Sequence, residues 1–181
     1  MTIFIDLIGS WFVRASLVGV MLTLAANMND AVYQSAQVTN AKGHISVVDS
    51  VIYADVNAAG YLVPSTDTTF KSATSGNLRF YADIDLSGTV EDIKYLSVYN
   101  PTTNCYSLTR TINSGTAMDL GNDFTNITFK YYSAAGSEIT NPWDYSKIRQ
   151  VRVMLSVRAD NVTSADSTIS TDFSTYPPNL L

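Results

Sequence analysis

The residues that come closest to carrying chemistry are acids in one short run, Asp83-x-Asp85-x-Ser87-Gly88, followed by Glu91 and Asp92. Carboxylates on alternate residues before a glycine resemble the start of a calcium loop, because hard cations need clustered oxygen ligands and a tight turn. The match then fails. Position twelve of such a loop needs a bidentate Glu and is Lys94 here, and both flanks alternate like strands rather than helices. The expected structure is a plain hairpin turn at Leu86–Thr89, with calcium on Asp83, Asp85, Ser87 and Glu91 as the second reading. The chain has one histidine, His44, and one cysteine, Cys105. That excludes an internal disulfide and a zinc site built from those two residue types. No G-x-S-x-G, P-loop or H-E-x-x-H is present, so no enzyme activity is expected. A net charge of −5 gives no electrostatic footprint for nucleic acid. Two N-glycosylation sequons occur, at Asn126 and Asn161. Most tyrosines read as sheet-face residues, some of them free to serve adhesion.

Two further charges stand out by their company. Asp6 and Arg14 interrupt an otherwise apolar run from Ile3 to Ala26. About 20 such residues of helix cross a bilayer core. A charge there costs at least about 2.5–3.5 kcal/mol by insertion scales, so each needs a partner. The two lie about 12 Å apart along one helix, too far to pair directly. Asp6 can be stabilised near the helix start by the helix dipole alone; the sharper reading is that neighbouring copies of the same helix supply partners for both charges, with Arg14 as one candidate for Asp6. Trp11, Leu17 and Leu22 belong to faces that are all apolar, and a helix apolar all round is buried all round. Gly9 and Gly19 allow close helix approach. Asp6, Gly9, Trp11, Arg14, Leu17, Gly19 and Leu22 therefore form the predicted assembly set. No basic residue precedes Arg14, which argues against a cleaved secretory signal.

The element that must position these residues is one long helix ending near Gly60 and Tyr61. Over Thr2–Ala59 it would be about 87 Å long. Residues 1–26 are its apolar half, for a membrane or filament core. Residues 27–60 form an amphipathic half, with Val32, Ala36, Ala41, Ile45, Val48, Ile52 and Val56 as its stripe. Residues 61–181 form the head. It opens with a polar loop over 61–76. Leu78, Phe80, Ala82 and Ile84 alternate with polar neighbours, a half-buried strand. Val90–Tyr99, Cys105–Ile112, Ile127–Tyr132, Ile148–Arg158 and Thr168–Phe173 follow as strands. Turns are expected at Asn100–Asn104, Asn113–Gly115, Ala135-Gly136 and Asn141-Pro142. Short strands joined by turns imply an antiparallel sheet packed on the rear of the helix, an α+β fold.

This order of parts resembles a type IV pilin-like protein: an acid near the start of an apolar helix, then an antiparallel head. FYADIDLSGTVEDIKY, SLTRTI, ITFKYYSAAG, IRQVRVMLSVR and YPPNL resemble, in order, the heads of minor pilins and of the large minor pseudopilin of type II secretion. The resemblance implies a subunit inserted in the inner membrane, then assembled with copies of itself into an extracellular filament. It also implies that Asp6 meets a neighbour's terminal amine. A low-copy minor subunit that primes or tips such a filament is the alternative within the family. A membrane-anchored binding head is the alternative outside it. Two features depart from the family. No basic leader ending in Gly precedes Met1-Thr2-Ile3-Phe4-Ile5-Asp6, and Asp stands where Glu is usual; with Met1 lost, Asp6 becomes the fifth residue. One cysteine also excludes the C-terminal disulfide loop of many major pilins.

Overall fold

A computed structural model describes residues 2–64, 67–140, 144–159 and 168–180, with side chains from Ile8 onward. Helix α1 runs from Thr2 to Asn57, about 84 Å. Its sequence holds no proline, and the glycines inside it cost helix stability without ending it. It ends where Gly60 turns left-handed at φ 83°. The Gly60 N–H donates to the Tyr81 carbonyl at 2.9 Å, tying the helix end to the sheet. A side chain at Gly60 would press on the Asn179 carbonyl, so the stop and its docking need the same glycine.

Seven antiparallel strands follow in a meander, each paired with its sequence neighbour. They are β1 (Phe70–Thr74), β2 (Asn77–Ala82), β3 (Glu91–Asn100), β4 (Cys105–Ile112), β5 (Met118–Tyr132), β6 (Gln150–Arg158) and β7 (Thr168–Thr175). The sheet curls into a half-barrel. Register shifts in the β1–β2, β4–β5 and β5–β6 ladders mark where the strands bend. The β1–β2 hairpin folds over onto β5, with the Phe129 N–H donating to the Ser75 carbonyl at 3.0 Å. Val151, Val153, Leu155 and Val157 all face the core, as their alternation requires. They meet Leu78, Phe80, Ile93, Leu108, Phe124 and Phe129 from the other strands, and Ile45, Val48, Ile52 and Val56 from α1. The α+β fold, with a helix whose rear packs on an antiparallel head, is therefore observed.

Several local expectations change. Strand β1 lies inside the segment read as a loop. Phe70 is its one fully buried residue, so the stretch is too short and polar for alternation to show. Strand β5 begins at Met118, not Ile127. Its first part, MDLGNDFTN, is rich in turn-forming residues, yet it pairs with β4. Strand β2 stops at Ala82 and β3 starts at Glu91, so Ile84 and Val90 belong to a wider loop than a Leu86–Thr89 turn. Strand β7 runs on to Thr175. On the helix, Val32 and Ala36 are exposed; the head reaches only as far as Gln37. Asn141-Pro142 and the Asn161 sequon lie outside the described residues.

Candidate assembly surface and acidic loop

From Ile8 to Ala36 the helix touches nothing else among the described residues and is exposed on every side. Trp11 is 68% exposed, Leu17 60% and Leu22 67%. Fully burying a side chain of this size stabilises by about 1.5–3 kcal/mol, so this surface is a large unspent driving force. Gly9 and Gly19 have open space where a Cβ would stand, so no contact within the described chain requires them. Arg14 is exposed and forms no ion pair with a described side chain. Asp6 lies within α1, and its side chain is outside the described set. Ser16, Gly19, Val20, Thr23, Leu24 and Asn27 share one open, exposed face of the helix. The Ser16 hydroxyl donates to the Phe12 carbonyl at 2.8 Å and Thr23 to Gly19 at 3.0 Å. These hydroxyls are satisfied within the helix, so apolar contact over them strands no donor.

The rear of the helix is fixed by polar contacts that spacing alone did not reveal. Asp55 is buried against the sheet. Arg110 of β4 grips it with both nitrogens, Nε to Oδ2 at 2.6 Å and Nη2 to Oδ1 at 2.9 Å, and the Tyr95 hydroxyl donates to Oδ2 at 2.6 Å. Burial pushes the Tyr95 phenol well above its ordinary value, and the Asp55 carboxylate adds to that. Burial alone would lower Arg110, but the bonds to Asp55 outweigh it and the guanidinium is held more firmly protonated. The one sequence signal was an acid on an otherwise apolar helix face, three residues after Ile52. Nearer the exit, the His44 ring lies over Gly121 of β5, with Nε2 2.9 Å from the Leu120 carbonyl and Nδ1 3.6 Å from Asp123. Histidine 44 is thus a packing residue at the helix–sheet junction. A Cβ on Gly121 would stand 2.6 Å from the imidazole Cε1, and its φ is 141°. Between these anchors Thr171 of β7 donates to Asp49 at 3.1 Å, and Tyr53 meets Phe173 edge-on.

The acids of the loop between β2 and β3 do come together. Asp83, Asp85 and Glu91 place oxygens within 4.8 Å of one another, with Asp83 and Glu91 buried. The loop's own backbone claims them. Asp83 accepts from the N–H groups of Ser87 and Gly88 at 3.0 and 2.8 Å, Asp85 from Ser87 at 3.0 Å, and Glu91 from Ile84 at 3.0 Å. The bonds from Ser87 hold the Asp85 carboxyl below the usual range. The Ser87 hydroxyl accepts from the Thr89 N–H at 3.3 Å. These bonds account for the loop's shape, since each carboxylate replaces a strand partner for a backbone donor. Asp92 faces the other way and pairs with Arg79. Asn126 is exposed on β5, and Cys105 is partly covered at the start of β4.

Compared with family models, curated proteins and solved structures, the chain matches none. Its architecture is nonetheless pilin-like in outline: a long apolar N-terminal helix whose rear packs on a curved antiparallel sheet. That is the arrangement of a subunit able to build a helical filament on its N-terminal helix. One stretch of the helix is long and apolar enough to cross a membrane.

Proposed function

We propose that the chain is a non-enzymatic structural subunit of an extracellular, type IV pilus-like filament. It would pass through the inner membrane and polymerise with copies of itself through its N-terminal helices. One observation carries this reading: a head with its own closed core holds out an apolar helix that nothing among the described residues covers. Water is the wrong solvent for that helix, so a bilayer or other copies must supply the cover. A membrane-anchored binding head would satisfy the same requirement, but Arg14 favours the filament. It lies in the midst of the apolar run, where lipid offers no counter-charge and a neighbouring subunit can. Asp6 would then serve a neighbour's terminal amine, as the pilin resemblance implies. Electron micrographs and sedimentation of the full-length protein test this. Fibres that pellet, and that are lost with Asp6→Ala, support the filament. A protein that stays monomeric in micelles and forms no fibres when detergent is removed overturns it.

A further inference from the structure

Two sides of α1 can be followed from its projecting part into the head, because about eighteen residues make five turns and return to the same direction. Asn27, Asp30 and Gln34 stand five turns ahead of Ile45, Val48 and Ile52, which face the core. The projecting helix is therefore polar on the side that carries the head. Met21, Met28 and Val32 lie on the other side, all largely exposed. Five turns on from them stand Thr39, Ser46 and Ser50, on the exposed back of the head-bearing half. From Met21 to Ala54 no Asp, Glu, Lys or Arg falls within about 60° of that line. Asp30 is on the head side, Lys42 and Asp49 stand on one flank, and Asn29 and Val47 share the other edge. The back of an amphipathic helix is normally its charged side, since it faces water. This back is uncharged for about 50 Å.

We propose that the back of α1, from Met21 to Ala54, is the seat for the apolar front helix of another copy, with the head-bearing side left to water. The inference rests on the filament reading and adds the side of contact. One-sidedness selects the occupant. Lipid surrounds a helix on every side, and Asn27, Asp30 and Gln34, opposite Met28 and Val32, would then be stranded in it. A second helix covers one side and leaves the other wet. Charge agrees, because the seat has none and the one uncovered apolar helix among the described residues is the front of α1 itself. The back of one copy against the front half of the next is a heterologous contact, which repeats from copy to copy. Short side chains at Thr39, Gly43, Ser46 and Ser50 let the two backbones approach closely.

Lysine substitution in the full-length protein tests the side. Val32→Lys and Ser50→Lys should each lower the pelletable filament by about tenfold or more, since each buries a charge without a partner. Gln34→Lys, two residues from Val32 but on the head side, should stay within about threefold of wild type. Circular dichroism like that of wild type shows that the head is folded in each. Fibres lost with Gln34→Lys and kept with Ser50→Lys overturn the seat and leave the filament standing. A second measurement needs no fibres. In a Cys105→Ser background, a polarity-sensitive fluorophore on Val32→Cys or Ser50→Cys should shift to the blue and lose access to iodide when detergent gives way to phospholipid vesicles or fibres. The same label on Gln34→Cys should stay in water. Equal shielding at 32 and 34 would mean lipid around the whole helix, and no shielding at 50 would mean a wet back. Either result refutes the proposal even where no filament forms.

Discussion

The two halves of one helix solve opposite problems. Behind Gln37, α1 is amphipathic. Ile45, Val48, Ile52 and Val56 are buried in the sheet, and the polar anchor of Asp55, Arg110 and Tyr95 fixes its position. Its front is apolar on all sides up to Ala26, and from Ile8 to Ala36 it makes no contact with the head among the described residues. The same secondary structure is therefore held by tertiary packing at one end and left uncovered at the other among the described residues. Helical propensity makes the rod continuous, but it supplies little of the stability at either end.

The comparison is broken most severely by removing the front half. Deletion of residues 1–26 should leave a head that is folded by circular dichroism and monomeric by size-exclusion chromatography, with filament formation abolished. An unfolded truncation would show that the front half supports the head after all. Within that soluble head, Asp55→Ala should have the largest effect on stability. It strands the Arg110 guanidinium in a mostly buried place, and breaking such a pair from one side costs about 3–5 kcal/mol in urea unfolding. Asp55→Leu with Arg110→Met should recover much of that loss.

A smaller effect is expected at the exit of the helix. Gly121→Ala puts a methyl group against the His44 ring in a backbone conformation that only glycine adopts easily, at a cost of about 1–3 kcal/mol. His44→Ala in the same chain should return part of that cost, and equal costs in both backgrounds would show that the ring is not the obstacle. The smallest effect concerns Asp49. Burial raises its carboxyl, against the bond from Thr171, and its Oδ1 is buried without a partner among the described residues. A raised acid holds its proton more tightly folded than unfolded, so it costs stability as pH rises above about 4, its unfolded value, through the raised folded one. Asp49→Asn should therefore raise the melting temperature slightly at pH 7 and leave it unchanged near pH 3. A variant that loses stability at pH 7 would mean that the charge is used.

The strands that the sequence shows plainly are those with one wet and one dry face, such as β6, where Val151, Val153, Leu155 and Val157 alternate with Gln150, Arg152, Met154 and Ser156. Alternation fades where a strand is short, as in β1, or bent, as in the first part of β5, because pairing there depends on a partner far along the chain. Among the candidate site residues, the exposure of Trp11, Arg14, Leu17 and Leu22 follows from composition alone, since the head has too little surface to cover so long an apolar rod. The clustering of Asp83, Asp85 and Glu91 was half legible, from their closeness in the chain.

What the sequence by itself determined is local or additive: the long helix, its apolar front, its stop at Gly60 and the alternating strands. Each depends on the period of side chains along the backbone or on one residue's own conformational range. What only the tertiary structure decided is which distant groups meet. The junction of Asp55 with Tyr95 and Arg110, the fit of His44 over Gly121, and the exit of the helix at Gln37 each require the curl of the sheet. That curl arises from register shifts between strands, and a linear pattern of residue types carries no record of it until the strands pair.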